Sequence, residues 1–151
     1  MTVVTGHLEV PLDRDSVMAF IRKHGDGVLS TLGPDGSPQS AYLTLAVTDR
    51  GEIVLDAREA SRKVANLRRD GRVAVVVGGR DGVTLQAEGL ADIPAGDERQ
   101  RCADAYRDAF PQFASSLQDP AIVVVRVRIL WARLGDFRPS TALLRETSGP
   151  W

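Results

Sequence analysis

The 151-residue sequence has one cysteine, Cys102, and two histidines, His7 and His24. A single cysteine forbids an intrachain disulfide and points to a reducing, cytoplasmic compartment. A structural zinc or iron–sulfur site needs more ligands than these three side chains supply, so no metal is expected. Cys102 shares a helical face with Ala105, Tyr106 and Ala109, which reads as a buried, inert thiol. Charge of one sign is also missing. A formal net charge of -1 leaves no field to draw the chain onto nucleic acid or an anionic membrane. The basic residues Arg58, Arg62, Lys63, Arg68, Arg69 and Arg72 are interrupted by acids and lack interleaved aromatics, so they read as a solvated face. No apolar run approaches membrane-spanning length, the stretch from Ile122 to Val125 being strand-sized. The first residues, Met1 to His7, lack a basic stretch followed by an apolar one, so no signal peptide is expected. No Gly-x-Gly-x-x-Gly follows a strand: Gly78-Gly79-Arg80-Asp81-Gly82 suits a hairpin turn, which excludes a Rossmann reading.

What is present is a chain 43% hydrophobic with no shift of composition along its length. It reads as one domain, residues 1–151, with a core over about 13–137 and a short tail from 138 to 151. Asp13 caps a helix whose Val17, Phe20, Ile21 and His24 share a face, and Gly25 stops it. Pro34-Asp35-Gly36 turns Val28–Leu32 into a strand from Gln39 to Thr48, and Asp49-Arg50-Gly51 turns again into Ile53–Leu55. Ser61 starts a second helix with Val64, Leu67 and Arg68 on its inner side. Strands over Arg72–Val77 and Val83–Ile93 follow, then a helix from Asp97 to Phe113 and a long strand from Ala121 to Leu134. In that last strand, alternation sends Arg126 and Arg128 to one face and Arg133 to the other, unless a bulge intervenes. The expected fold is mainly β (α+β): about six antiparallel strands closing on themselves, with two or three peripheral helices. Apolar residues on both sides of strands such as Val123–Val127 exceed what one small barrel buries, so a homodimer is expected.

The informative stretch runs from Asp56 to Leu67. Ser61, Arg62 and Lys63 stand where a helix begins, and cations there oppose the helix dipole. The placement makes sense if an anion sits at that terminus, met by backbone N–H groups, the Ser61 hydroxyl and both cations. A phosphate has that chemistry. Solvated surface charges, paired with Asp56 or Glu59, are the competing reading.

Ser61-Arg62-Lys63-Val64-Ala65-Asn66-Leu67 followed by Asp70-Gly71-Arg72-Val73-Ala74-Val75 resembles the Ser-Arg-Lys helix and next strand of the pyridoxamine 5′-phosphate oxidase-like, FMN-binding split-barrel superfamily. Gly36-Ser37-Pro38-Gln39 ahead of Ser40–Thr44, the strand Thr84–Ala91, and the ending Val125–Phe137 are similar in order and spacing. The resemblance implies a split β-barrel dimer with FMN at its interface. Ser61, Arg62 and Lys63 would hold the phosphate. Ser40, Ala41, Tyr42, Leu43 and Thr44, with Asp56 and Ala57, would lie along the ring and ribityl chain. Thr84, Gln86 and Trp131 would approach the flavin from the neighbouring region. The implied activity is hydride or electron transfer through flavin to an unknown small molecule, with no catalytic residue assignable. A deazaflavin coenzyme is the alternative cofactor, and a non-catalytic flavin or haem carrier or stress-related protein the alternative role. Two departures stand out. Ser40 replaces a basic residue of the oxidase and Asp56-Ala57 replaces Tyr-Thr. The oxidase's C-terminal Arg-x-His substrate motif has no counterpart after Phe137.

Overall fold

A computed structural model describes residues 12–139 and 143–149. Asp13 accepts a hydrogen bond from the Ser16 backbone N–H at 2.7 Å and caps helix α1 (Arg14–His24). Gly25, at φ 72°, makes the left-handed turn that ends the helix. Val17, Met18 and Ile21 are its buried residues. Strands β1 (Asp26–Leu32), β2 (Pro38–Thr44), β3 (Ala46–Val47) and β4 (Ile53–Arg58) lead to helix α2 (Arg62–Arg69). Then come β5 (Arg72–Gly78), β6 (Val83–Asp92), helix α3 (Gly96–Ala109), a 3-10 helix (Pro111–Gln118), β7 (Ile122–Asp136) and β8 (Leu143–Ser148).

These strands form one antiparallel sheet in the order β2-β1-β5-β6-β7-β4-β3, with β8 also on β7, curled into a half-barrel. The architecture is the expected α+β split barrel, with eight strands rather than about six. Two departures account for the difference. The run read as one strand from Gln39 to Thr48 breaks at Leu45, whose N–H donates to the Gly25 carbonyl at 3.0 Å. Before the break β2 pairs with β1, and after it β3 pairs with β4, so this single residue links the two ends of the strand order. The segment after Phe137, read as a short tail, includes β8. It pairs with the C-terminal half of β7, beyond the stretch that β4 covers.

Two apolar clusters hold the sheet. Inside the barrel, Leu29, Leu55, Val75, Val77, Leu85 and Val125 pack with Ile21 of α1 and Val64 and Leu67 of α2. On the outer side of β3, β4 and β7, Ala46, Val54 and Val124 are covered by Cys102, Ala103 and Tyr106 of α3. Val124 and Val125 are therefore both buried, each against a different layer. The long helix expected over Asp97–Phe113 ends at Ala109, because Pro111 cannot continue it and opens the 3-10 turn instead.

A bulge interrupts β7. Ile129 stands opposite Gly89 and Trp131 opposite Glu88, leaving Leu130 as the extra residue. Gly89 permits this approach, since a Cβ there would lie 2.2 Å from the Arg128 carbonyl oxygen. The inward set changes from Val125, Val127 and Ile129 to Ala132, so Arg133 joins Arg126 and Arg128 on the outer face. The opposite-face placement expected from simple alternation is thereby corrected. Among the described residues no helix is long and apolar enough to cross a membrane, and no group of three or more possible metal ligands occurs.

Candidate anion pocket beside helix α2

Helix α2 lies against β1, turning Val64, Asn66 and Leu67 inward. Arg68, expected on that inner side, instead points out and pairs with Glu59, and Asn66 takes the inward place. Ser61 accepts from the Val64 N–H at 3.4 Å, a long cap, and no acidic residue stands in the first turn. Arg68 and Arg72 have carboxylate partners, whereas Arg62 and Lys63 have none among the described residues. That disposes of the reading in which Asp56 or Glu59 neutralises them. Both cations line a pocket of about 160 Å³ whose other walls are Leu29, Thr31, Gln39, Ser40 and Ala41. Because β2 ends the strand order, it also brings an unpaired backbone edge to this pocket.

The pocket floor is a hydrogen-bonded chain. Arg69 Nη2 donates to Asn66 Oδ1 at 2.8 Å and to the Leu32 carbonyl at 2.7 Å. Asn66 Nδ2 donates to Thr31 Oγ1 at 3.0 Å and to Gln39 Oε1 at 2.9 Å. Asn66 and Thr31 are almost wholly buried, 2% and 3% exposed. Neither Asn66 nor Gln39 was singled out from the sequence. The available signal was a polar residue on the apolar stripe of α2, between Val64 and Leu67.

The other expected cofactor-binding residues separate into two groups. Register aligns Tyr42, Val28, Val76, Gln86 and Arg133 in one row across the outer sheet face. Ser40, Ser30, Ala74, Glu88 and Trp131 form the next row, with the Ser30 and Ser40 hydroxyls 2.7 Å apart. Thr84 lies on the same face as Gln86. Arg133 sits over the Trp131 ring, 5.3 Å from its centroid, and is also held by Glu146 of β8. This face carries exposed Tyr42, Val76, Leu90 and Leu130, and a groove of about 510 Å³ runs between Leu32, Ala74, Leu90 and Leu130.

The second group lies under α3. Asp56 accepts from Tyr106 Oη at 3.0 Å and from Ser116 Oγ at 2.7 Å, and Thr44 Oγ1 donates to Tyr106 Oη at 2.8 Å. Burial, reinforced by the Asp56 charge, pushes the Tyr106 hydroxyl up to about 12. Asp56 and Thr44 thus face the helical layer, away from Arg62 and Lys63. Leu43 and Ala57 pack against the barrel core. His24 stacks on Phe20 at 4.4 Å, its buried Nε2 without a partner among the described residues, at the end of α1 and outside the barrel strands. His7 lies outside the described residues.

No curated protein matches the chain. Among solved structures it is similar to a heme binding protein from Mycobacterium smegmatis, with TM-score 0.77 and 20% identity over 92% of this chain but only 59% of that one. A conserved hypothetical protein from Mycobacterium tuberculosis gives TM-score 0.71 and 26% identity, covering 89% of this chain and 91% of the other. General Stress Protein 26 from Bacillus anthracis gives 0.65 and 21%, covering 80% and 92%. The family model described as pyridoxamine 5'-phosphate oxidase matches residues 14–134, a span containing the barrel strands β1 to β6, α2 and most of β7. The chain belongs to the pyridoxamine 5'-phosphate oxidase family.

Proposed function

We propose that this chain is an FMN-binding oxidoreductase that works as a homodimer, with the flavin phosphate in the pocket beside α2. The carrying observation is the pair Arg62 and Lys63, without partners among the described residues, at a helix N-terminus that opens onto the pocket. Backbone N–H groups of the first turn and two cations suit a terminal phosphate dianion. Ser40, Ala41 and the free edge of β2 would flank the ring. Gln86, Trp131 and Thr84 lie on the outer sheet face, where they could reach a flavin held by a second copy seated on that face. When bound, flavin supplies hydride and electron transfer; the protein's part is to hold and orient it and to exclude water. No acid–base residue is required for that role.

A deazaflavin coenzyme carries its phosphate as a monoanionic diester, a poorer match to two cations than a monoester dianion. A haem carrier would need an axial ligand at the site, and among the described residues no histidine lines this pocket. The test is direct. Purified protein is examined for flavin absorbance, its released cofactor is identified by chromatography, and stripped protein is titrated with FMN and riboflavin. Tight FMN binding with weaker riboflavin binding supports the proposal. Absence of binding to either flavin overturns it.

A further inference from the structure

The hydrogen-bond chain below the pocket has a direction. Arg69 carries only donors, so the Asn66 atom facing it is the oxygen, and both Nδ2 protons are sent the other way. Those two protons go to Thr31 Oγ1 and Gln39 Oε1. Gln39 must therefore keep its Nε2 protons free, and that nitrogen has no acceptor among the described residues. It lies over Gly33, where an added Cβ would come within 2.9 Å. Thr31, having accepted, retains its own hydroxyl proton to give. Thr31 and Gln39 both line the pocket together with Arg62 and Lys63. The result is that Thr31 and Gln39 each keep a proton to donate beside the two cations.

We propose that Asn66, held by Arg69, is a positioning residue that makes the pocket selective for a fully ionised phosphate monoester, by fixing Thr31 and Gln39 as donors. This rests on the flavin reading for the identity of the ligand but not for the pocket's polarity. A dianionic monoester has only acceptor oxygens and is served by every group present. A terminal hydroxyl, as in riboflavin, carries no charge for those cations and offers one neutral oxygen where the dianion offers three charged ones, so it gains far less.

Asn66→Asp is the informative change. An aspartate would still pair with Arg69 but would accept where Asn66 donates. Gln39 would turn its Nε2 toward the carboxylate, and Thr31 would donate to it, so both pocket donors would be spent. Thr31→Val removes one donor without adding charge, and Thr31→Ser restores the hydroxyl. Fluorescence titration of each variant with FMN and with riboflavin, beside thermal melting, reads the outcome. Asn66→Asp is expected to weaken FMN at least about tenfold and leave riboflavin within about twofold, and Thr31→Val to weaken FMN by about three- to tenfold. Thr31→Ser should recover the parent ratio. Equal weakening of both ligands, or an unchanged FMN-to-riboflavin ratio, would show a structural role only and overturn the proposal. If Asn66→Asp fails to fold, Thr31→Val and Thr31→Ser decide the matter. If the parent protein binds no flavin, the function proposed above fails, and phosphorus NMR with inorganic phosphate tests the pocket alone. Line broadening by the parent but not by the Thr31→Val variant supports the inference, and no broadening by the parent overturns it.

Discussion

At the scale of single residues, the separation between paired and unpaired cations carries the functional reading. On helix α3, Arg107 finds a carboxylate at helical spacing in Asp104. Arg62 and Lys63 have none among the described residues, stand at the wrong end of α2 for the helix dipole, and border a pocket. Lys63→Ala should therefore cost about 1.5–3 kcal/mol of FMN binding, roughly ten- to a hundredfold in affinity. The double change Arg62→Ala, Lys63→Ala should cost more and shift preference toward riboflavin. Fluorescence quenching that shows parental FMN affinity in Lys63→Ala would remove that side chain from the site. Sequence alone brought out these two cations, because their clash with the dipole is visible without coordinates. It did not bring out Asn66, whose role depends on Thr31 and Gln39 arriving from strands about thirty residues away. Where Asp56 points was hidden for a related reason: its partner Tyr106 reads from the sequence only as an apolar residue on a helical face.

At the scale of elements, local punctuation was legible and long-range pairing was not. Asp13, Gly25 and the hairpin turns act within a few residues, so the first helix and the two opening hairpins agree with expectation. The break at Leu45, the bulge at Leu130 and the pairing of β8 are set by the partner strand and leave no periodic trace. The same holds for the ionic cluster that ties the β3–β4 hairpin to α3 and β7. Glu52, 8% exposed, accepts from Arg101 at 2.7 and 3.1 Å and from Thr48 at 2.7 Å, with Arg126 also beside it. Burial alone would raise the Glu52 carboxyl, but the Arg101 and Thr48 hydrogen bonds and the two positive charges outweigh it and hold it below the ordinary range. A carboxyl depressed in the folded state contributes stability above its unfolded value and loses it as pH falls through the folded one. Glu52→Gln should destabilise the protein by about 2–4 kcal/mol at neutral pH, since it leaves buried cations short of a partner. The gap between variant and parent in urea midpoint should narrow as pH drops from neutral into the acid range. A gap that stays constant down to acid unfolding would mean that the Glu52 charge contributes nothing.

At the scale of the whole molecule, the outer sheet face bears on the proposed dimer and on the proposed chemistry. Val76, Leu90 and Leu130 are 43%, 48% and 37% exposed there, beside Tyr42 at 70%. Covering the exposed remainder of one such side chain is worth about 1 kcal/mol, and a second copy would cover the set twice. The joint change Leu90→Asp, Leu130→Asp should yield monomers in light scattering and lose flavin affinity with them, while a parent protein monomeric across micromolar concentrations would refute dimerisation. The same face bears on turnover of pyridoxamine 5′-phosphate, the substrate in the family's name. A second dianionic phosphate needs its own cluster of cations, apart from the one assigned to FMN. The bulge does gather Arg126, Arg128 and Arg133 on one side of β7, which simple alternation would have forbidden. Two of them are already engaged, however. Arg126 is held by Asp92 at 2.6 Å and Glu98 at 2.7 Å, and Arg133 is held by Glu146. Arg128 alone is left without a carboxylate among the described residues, and one exposed guanidinium does not orient a substrate amine against a flavin. Freeing Arg126, itself 6% exposed, would break its hydrogen bonds to Asp92 and Glu98, which costs more than a surface contact returns. Hydrogen peroxide release from pyridoxamine 5′-phosphate with saturating FMN should therefore be negligible. Turnover near the ordinary enzymatic range of roughly 1 per second would show that a second phosphate clamp forms from residues other than these three arginines.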